Sequence, residues 1–263
     1  MKILAIIGTT RKKGDSYHLI QQIETRMNLI EPVEFKYLYL SDIPLGYCLG
    51  CCNCFFKGEE LCSKRALTAG IEAEMLDADG VILAAPVYAH QVTALMKNYI
   101  DHFSYFFHRP RFFDKVALVL SPTGSSGLRE TLKYLRFTAN GWGFYVVGSL
   151  GVVSGAFKND AVYRGKIINQ IDQTARQMLQ FIKTKKRPAP NLYQLMFFRG
   201  MRLKAKYNPC DRKYWEDHGW LSQNYFMKRS VNPVTLLLAN ILERIMDVMY
   251  RKMARTKKEI QNS

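Results

Sequence analysis

Five of the six cysteines in this chain fall within the fifteen positions from Cys48 to Cys62. Four of them, Cys48, Cys51, Cys54 and Cys62, read C-x2-C-x2-C-x7-C, and Cys52 sits inside the run. Thiolates at this spacing can converge on one metal centre from a tight loop, with Gly50 and Gly58 easing the bends. No His lies within the run, so a zinc site there would be all-thiolate. In a reducing compartment such a run holds a metal or cluster, or does redox work, more often than it forms a disulfide frame. A loop of free thiols without metal satisfies the same spacing, and the residues alone leave both readings open. Cys210 stands isolated near the carboxyl end and is expected to be dispensable.

A second group of residues points to phosphate and planar-ligand binding. Gly8-Thr9-Thr10-Arg11-Lys12-Lys13-Gly14-Asp15-Ser16 follows an apolar run and precedes a helical pattern. It offers hydroxyls, a guanidinium and the amino end of a helix, which together suit a phosphate. Asp15 after Gly14, where a nucleotide-hydrolase loop has Lys, excludes that motif, and G-x-G-x-x-G is absent. Ser16 as a plain helix cap would explain the serine but not the rest of the loop. Pro86-Val87-Tyr88-Ala89-His90-Gln91 forms a second loop, and Ser121-Pro122-Thr123-Gly124-Ser125-Ser126-Gly127 a third. The small residues of the third let backbone approach a flat ligand.

These loops need elements to hold them. Lys2 to Ile7 reads as a buried strand, and the helix from Ser16 carries Leu19, Ile20, Ile23 and Met27 on one face. Val33 to Leu40 alternates as a second strand. A helix over 66–76, a strand over 80–85, a helix over 91–106 and a strand over 116–120 follow. A helix over 128–138, a fifth strand over 144–150 and a long helix over 161–183 complete the series. Strands alternating with helices of this length argue an α/β architecture, a parallel sheet with helices on both faces. Ligands in such sheets sit at the carboxyl ends of the strands, where all three loops open. Lys183 to Pro190, basic and twice interrupted by proline, reads as a linker.

The first loop resembles the G-[ST]-x-R-x-x-G-x-[ST] phosphate loop of the NAD(P)H-dependent FMN reductases, through Gly8, Thr9, Arg11, Gly14 and Ser16. The second resembles their P-x-Y segment followed by [ST]-A-x-[LM]-K-x-x-I-D-R. Pro86, Tyr88, Thr93, Ala94, Met96, Lys97, Ile100 and Asp101 match it, and His102 replaces the Arg. The cysteine run is similar to that of the iron–sulfur flavoproteins, a branch of the same flavodoxin-like superfamily. The resemblance covers roughly residues 1 to 185. It implies a flavodoxin-like, doubly wound five-stranded parallel sheet in the order 2-1-3-4-5, with a mainly helical C-terminal extension. It implies an FMN-binding domain over 1–186 and an extension over 187–263.

Carried over by position, Thr9, Arg11 and Ser16, with Thr10 and His18 as neighbours, would hold the FMN phosphate. Pro86, Val87, Tyr88 and Ala89 would line the isoalloxazine, and Thr123 and Gly124 its far edge. Cys48, Cys51, Cys54 and Cys62 would hold a [4Fe–4S] cluster in the iron–sulfur branch, whereas many flavoproteins with a similar C-x-G-C-x-x-C stretch are not known to carry one, and this sequence fits either group. The chemistry implied is hydride transfer from NAD(P)H through FMN to a quinone, flavin or similar small acceptor. The alternative is single-electron transfer from a ferredoxin-like donor. No protein acid–base pair is required, and His90 beside the flavin reads as polar lining rather than as a proton donor.

The bulk numbers are consistent with this. With 263 residues, 48% of them apolar, the chain can bury one full core plus an appendage. MKILAIIG is too short for a secretory signal and no apolar stretch reaches about 18 residues, so a cytoplasmic protein is expected. A net charge of +16 permits nucleic acid or an anionic surface, but no nucleic-acid motif is present. Tyr207, Tyr214, Trp215, Trp220, Tyr225 and Phe226 argue that the extension packs rather than staying disordered. After Pro233 a helical pattern places Leu238, Ile241, Leu242, Ile245, Val248 and Met249 on one face. That stripe is expected to bury itself on its own domain or on the mate of a homodimer, with peripheral membrane contact as the other use of a basic amphipathic helix.

Overall fold

In chain order the computed structural model contains β1 (Lys2–Ile7), α1 (Asp15–Asn28), β2 (Glu34–Tyr39), α2 (Asn53–Phe56), α3 (Arg65–Asp77), β3 (Gly80–Ala84) and α4 (Ala94–His102). It continues with β4 (Val116–Thr123), α5 (Leu128–Gly141), β5 (Tyr145–Val153), α6 (Ser154–Asn159), α7 (Ala161–Thr184), α8 (Leu192–Ala205), α9 (Pro209–Asp217) and α10 (Pro233–Gln261). The structure describes residues 1–227 and 230–261; Lys228, Arg229, Asn262 and Ser263 of the expected extension lie outside the described residues.

Two compact units result. The first comprises 1–51, 63–106 and 110–187, and the second 52–62, 107–109 and 188–263. The second thus takes in two short stretches from the body of the chain.

All five strands of the first unit run parallel in the order β2-β1-β3-β4-β5. β3 and β4 are buried along their whole length, and β1 after Lys2, as strands covered on both faces must be. The edge strands β2 and β5 instead alternate or stay half-buried. On one face α1 and α7 pack together, bringing Leu19, Ile20, Ile23 and Met27 against Ile167, Ile171, Met178 and Leu179 over Ile82, Leu118 and Leu120. Elsewhere in the unit an aromatic cluster of Tyr99, Phe103, Phe106 and Trp142 is fully buried. The buried Glu72 carboxylate is satisfied by Arg65 (2.7 Å), Arg111 and the Tyr105 hydroxyl (3.1 Å), as a carboxylate out of water requires.

The helix expected over 91–106 is shorter. Thr93 accepts from the Met96 N–H at 3.2 Å and starts α4 at Ala94, and after His102 the chain tightens into a 3-10 turn over Ser104–Phe107. β5 begins and ends later than its pattern suggested, at Tyr145 and Val153, and runs straight into α6, which the pattern did not show.

In the second unit Phe198, Trp215, Trp220, Tyr225 and Phe226 form one aromatic core, with ring separations such as 4.7 Å for Phe198–Phe226 and 4.9 Å for Trp220–Phe226. Burial pushes the Tyr225 phenol up to about 12. α8 belongs to the mainly helical extension that was expected, although the sequence reading gave it no bounds; Asn191 and Gln194 form a capping box at its start. Arg199, fully buried on α8, is held by Asn240 (2.7 Å) and Glu243 (3.2 Å) of α10 and by Asn224 (3.0 Å). The side of α10 that carries Ala239 and Glu243 therefore faces inward. Its apolar stripe is open: Leu238, Leu242 and Ile245, expected to be buried, are 45, 38 and 53% exposed in the chain. Among the described residues, no helix is long and apolar enough to cross a membrane.

Candidate functional site

The carboxyl ends of β1, β3, β4 and β5 meet at one cleft of about 530 Å³, within the range of small-molecule sites. Thr9, Arg11, Ser16, Pro86, Val87, Tyr88, Thr123 and Gly124 line it, so eight of the eleven expected residues come together. Thr10 and Ala89 are not among its lining residues. His18 lines a neighbouring groove along α1 and α6 instead.

The loop after β1 is fixed by backbone and one hydroxyl. Gly8 donates to Ala84 O at 2.8 Å, and the Thr93 hydroxyl donates to Gly8 O at 2.5 Å. A Cβ at Gly8 would lie 2.7 Å from Met96 Cβ, so only glycine lets α4 approach here. Thr9 is buried and its hydroxyl accepts from the Arg11 N–H at 3.2 Å. α1 begins at Asp15 with Gly14 as its cap residue and no side-chain cap. Ser16 is thus inside the first turn, buried, and not the cap. The uncapped first-turn N–H groups and the positive end of the helix dipole face the cleft, where Arg11, Lys13 and Lys158 add cationic charge. The Ser154 hydroxyl, followed by the Lys158 ammonium at 3.3 Å, holds the Asp15 carboxyl below the ordinary carboxylate range.

The opposite wall is a strained turn. Tyr88 and Gln91 exchange backbone hydrogen bonds of 2.8 and 2.9 Å, and Ala89 (φ 48°) and His90 (φ 61°) between them are both left-handed. Such a pair of non-glycine residues costs free energy and persists only where packing demands it. The demand comes from Gly127 (φ 86°), whose backbone lies so close that a Cβ would meet Val87 Cγ1 at 2.7 Å and His90 Cα at 2.9 Å. Tyr88 is half exposed at the mouth. Thr123 donates its hydroxyl to Ser126 O at 2.8 Å, so this side chain shapes its own loop. His90 Nε2 lies 3.5 Å from the Ser126 hydroxyl.

Reading the sequence missed Ser154 and Lys158, which reach the cleft from α6. The signal was available, because every parallel strand ends at the same edge and β5 is no exception. The arrangement as a whole can hold a phosphate at the α1 end and a flat group between the Pro86–Tyr88 and Thr123–Gly124 backbones.

The cysteine run divides between the units. Cys48 and Cys51 belong to the first, Cys52, Cys54 and Cys62 to the second. In the first unit the Cys48 N–H donates to Asn98 Oδ1 at 3.0 Å, and Asn98 Nδ2 donates to Gly46 O at 2.5 Å. His102 Nε2 is 3.2 Å from the same carbonyl. The K-x-x-I-D-H segment of α4 therefore anchors the approach to the cysteines. In the second unit Cys52 is left-handed (φ 58°) and leads into the one-turn helix α2. Cys210, which stands apart from the run in sequence, donates its thiol to Phe56 O at 3.3 Å. The donor set suits a thiolate-ligated cluster chemically. Among the described residues, however, no three such side chains are gathered about one point.

Comparison with known proteins agrees with this fold. Residues 1–159 match the family described as NADPH-dependent FMN reductase. An iron–sulfur flavoprotein of Archaeoglobus fulgidus is 26% identical over 234 residues, covering 84% of this chain and all of that protein. One of Clostridioides difficile is 26% identical over 75% of this chain and 86% of its own. The first match exceeds what residues 1–185 could supply, so the likeness reaches into the C-terminal segment, further than the sequence motifs had carried it. Among solved structures, RosB with bound 8-demethyl-8-formylriboflavin-5′-phosphate covers 89% of this chain and 92% of its own at TM-score 0.54 and 13% identity. An FMN-dependent NADH-azoreductase of Bacillus anthracis in complex with FMN covers 68 and 99% at TM-score 0.51 and 12% identity. At those identities the structures speak for the flavodoxin-like fold alone.

Proposed function

Because the chain belongs to the NADPH-dependent FMN reductase family and is an FMN-dependent oxidoreductase, we propose that it takes hydride from NAD(P)H and reduces a small acceptor such as a quinone or flavin in the cytoplasm. The observation that carries this reading is the cleft itself, open at one end and cationic at the other. Arg11, Ser16 and the first-turn N–H groups of α1 bind the phosphate, with Thr9 buried beneath and Lys13 and Lys158 adding charge. Pro86, Val87, Tyr88, Thr123 and Gly124 orient the flavin ring. FMN bound there would supply two-electron redox chemistry between a hydride donor and the acceptor. The strained 88–91 turn and Gly127 keep one wall rigid, and the half-exposed Tyr88 leaves the mouth open for a second molecule. The same reading takes the chain as a homodimer, supported by the exposed stripe of α10.

A second reading is an iron–sulfur flavoprotein passing single electrons from a ferredoxin-like donor. It is favoured by the C-x2-C-x2-C-x7-C run and by the relatives that carry that name over most of this chain. Cys48, Cys51, Cys54 and Cys62 would ligate a [4Fe–4S] cluster, whose chemistry is one-electron exchange. Anaerobic purification followed by visible absorption and iron and sulfide analysis separates the two readings. Rapid flavin bleaching by NADPH in iron-free protein supports the first. Stoichiometric iron and sulfide with no NAD(P)H bleaching supports the second, and protein without FMN defeats both.

A further inference from the structure

We infer that Arg109, Asn208 and Asp211 are positioning residues for Cys54 and Cys62, and that holding the cysteine turn is the task of the C-terminal segment. The inference rests on the iron–sulfur reading for the nature of the ligand, and on the geometry of the second unit for the positioning.

Segment 52–62 cannot hold its own shape. α2 has four residues, none of them buried, and the following 3-10 turn Glu59–Leu61 has none either. One helical turn has no stability in isolation. Its backbone also passes through left-handed Cys52 and Gly58 (φ 113°). The carbonyls at the end of α2 are orphans that must find donors elsewhere.

Distant residues supply them one by one. Arg109, 2% exposed, donates to Cys54 O. Asn208 Nδ2 donates to Phe55 O at 2.8 Å, and the Cys210 thiol donates to Phe56 O at 3.3 Å. The Arg109 guanidinium also pairs with Glu59 at 3.1 Å, on the cysteine segment, and with Asp211, which is 1% exposed. Asp211 in turn lies 2.7 Å from His108 Nδ1, and Trp215 Nε1 donates to His108 O at 2.7 Å. Asn208 accepts from the Cys210 and Asp211 N–H groups while it donates to Phe55, so one side chain is both the cap of α9 and the tether of α2.

A buried ion pair is a poor way to gain stability alone, because desolvation offsets most of the attraction. What it does well is fix one geometry. Here the geometry fixed is that of Cys54 and of the turn leading to Cys62.

The test uses full-length protein purified anaerobically, with Asp211→Asn, Arg109→Lys and Asn208→Asp, the last retaining the cap acceptor and losing the tether donor. Iron and acid-labile sulfide per chain, the electron paramagnetic resonance spectrum after dithionite reduction, FMN per chain, and the iodoacetamide alkylation rate of each cysteine by mass spectrometry are measured. The expected result is loss of most iron and sulfide, an altered spectrum for what remains, and several-fold faster alkylation of Cys54 and Cys62. FMN content and the alkylation of Cys48, held by α4 in the first unit, should not change. Wild-type iron, spectrum and alkylation in Asp211→Asn and Asn208→Asp would overturn the inference. Wild-type protein without iron or sulfide would defeat the iron–sulfur reading instead, and alkylation alone would then decide the positioning. If Asp211→Asn loses FMN as well, Asn208→Asp decides by the same readouts.

Discussion

The loops of the cleft at the sheet edge and the turn that carries Cys54 are held by different physics. In the first unit the loop after β1 hangs from a parallel sheet through Gly8 and Thr93, and the 88–91 turn is pinned by the backbone of Gly127. Its charged side chains, Arg11 and Lys13, are left exposed to solvent. In the second unit the charged side chains are the fixings: Arg109 and Asp211 are buried and spent on the carbonyl and carboxylate groups around them. A sheet edge can offer charge to a ligand because its geometry comes from backbone ladders. A turn without a ladder must use its charges on itself.

The comparison can be broken most severely at Trp215, fully buried in the aromatic core of the second unit. Trp215→Ala should cost about 3–5 kcal/mol, exposing 188–227 to limited proteolysis while FMN absorbance persists. Loss of FMN together with the tail would show that the units do not act separately.

Next in size is Arg11→Ala with Ser16→Ala. Each charge-assisted contact contributes about 1.5–3 kcal/mol, so FMN affinity should fall by roughly two to four orders of magnitude. Iron, sulfide and cysteine alkylation should stay at wild-type values. Stoichiometric flavin in the purified double variant would remove the phosphate-site assignment.

Gly127→Ala sharpens the contrast at the strained wall. Its φ of 86° and the 2.7 Å approach to Val87 predict a cost of about 1–3 kcal/mol in thermal unfolding. Weaker FMN binding should accompany it. An unchanged melting temperature would mean that the 88–91 turn is not held from this side.

Leu238→Gln with Ile245→Gln tests the open stripe of α10. The stability of the isolated chain should move by no more than about 0.5 kcal/mol, because both side chains are exposed in it. Light scattering should show the dimer dissociating, and an unchanged mass would exclude this stripe as the interface.

The smallest effect is expected at Asp15. Its folded pKa is lowered, so its contribution is present above the unfolded carboxylate value of about 4 and is lost as pH falls through the lower folded value. Asp15→Asn should flatten the acid limb of stability below about pH 4 by less than about 1 kcal/mol, since the group is partly exposed. An unaltered limb would mean that the Ser154 and Lys158 contacts contribute nothing.

Periodicity and punctuation in the sequence were enough for the alternating strands and helices, and the family resemblance supplied the strand order. Short apolar runs at 2–7, 80–85 and 116–120 read as buried parallel strands, and the helical patterns from Ser16 and over 161–183 located the helices that cover them, which the structure places at Asp15–Asn28 and Ala161–Thr184. Because parallel strands all end at one edge, the loops after β1, β3 and β4 could be assembled into a cleft before any coordinates. The contribution of α6 was not read although a fifth strand was expected to end at the same edge: the pattern stopped that strand at Leu150, whereas β5 runs on to Val153 and delivers Ser154 and Lys158 to the cleft.

The division of the cysteine run lay outside what a sequence can determine. Nothing local in Asn53–Cys62 says that its carbonyls are satisfied by residues 109, 208 and 210, since separations of 55, 153 and 154 positions leave no periodic trace. The same holds for α10. Its pattern marked an apolar face correctly, yet which face turns inward was decided by Arg199, a buried cation that needs Asn240 and Glu243 more than Leu238 needs cover. Leaving a buried guanidinium unpaired costs more than leaving one leucine in water, and that ordering of energies appears only once the helices are packed.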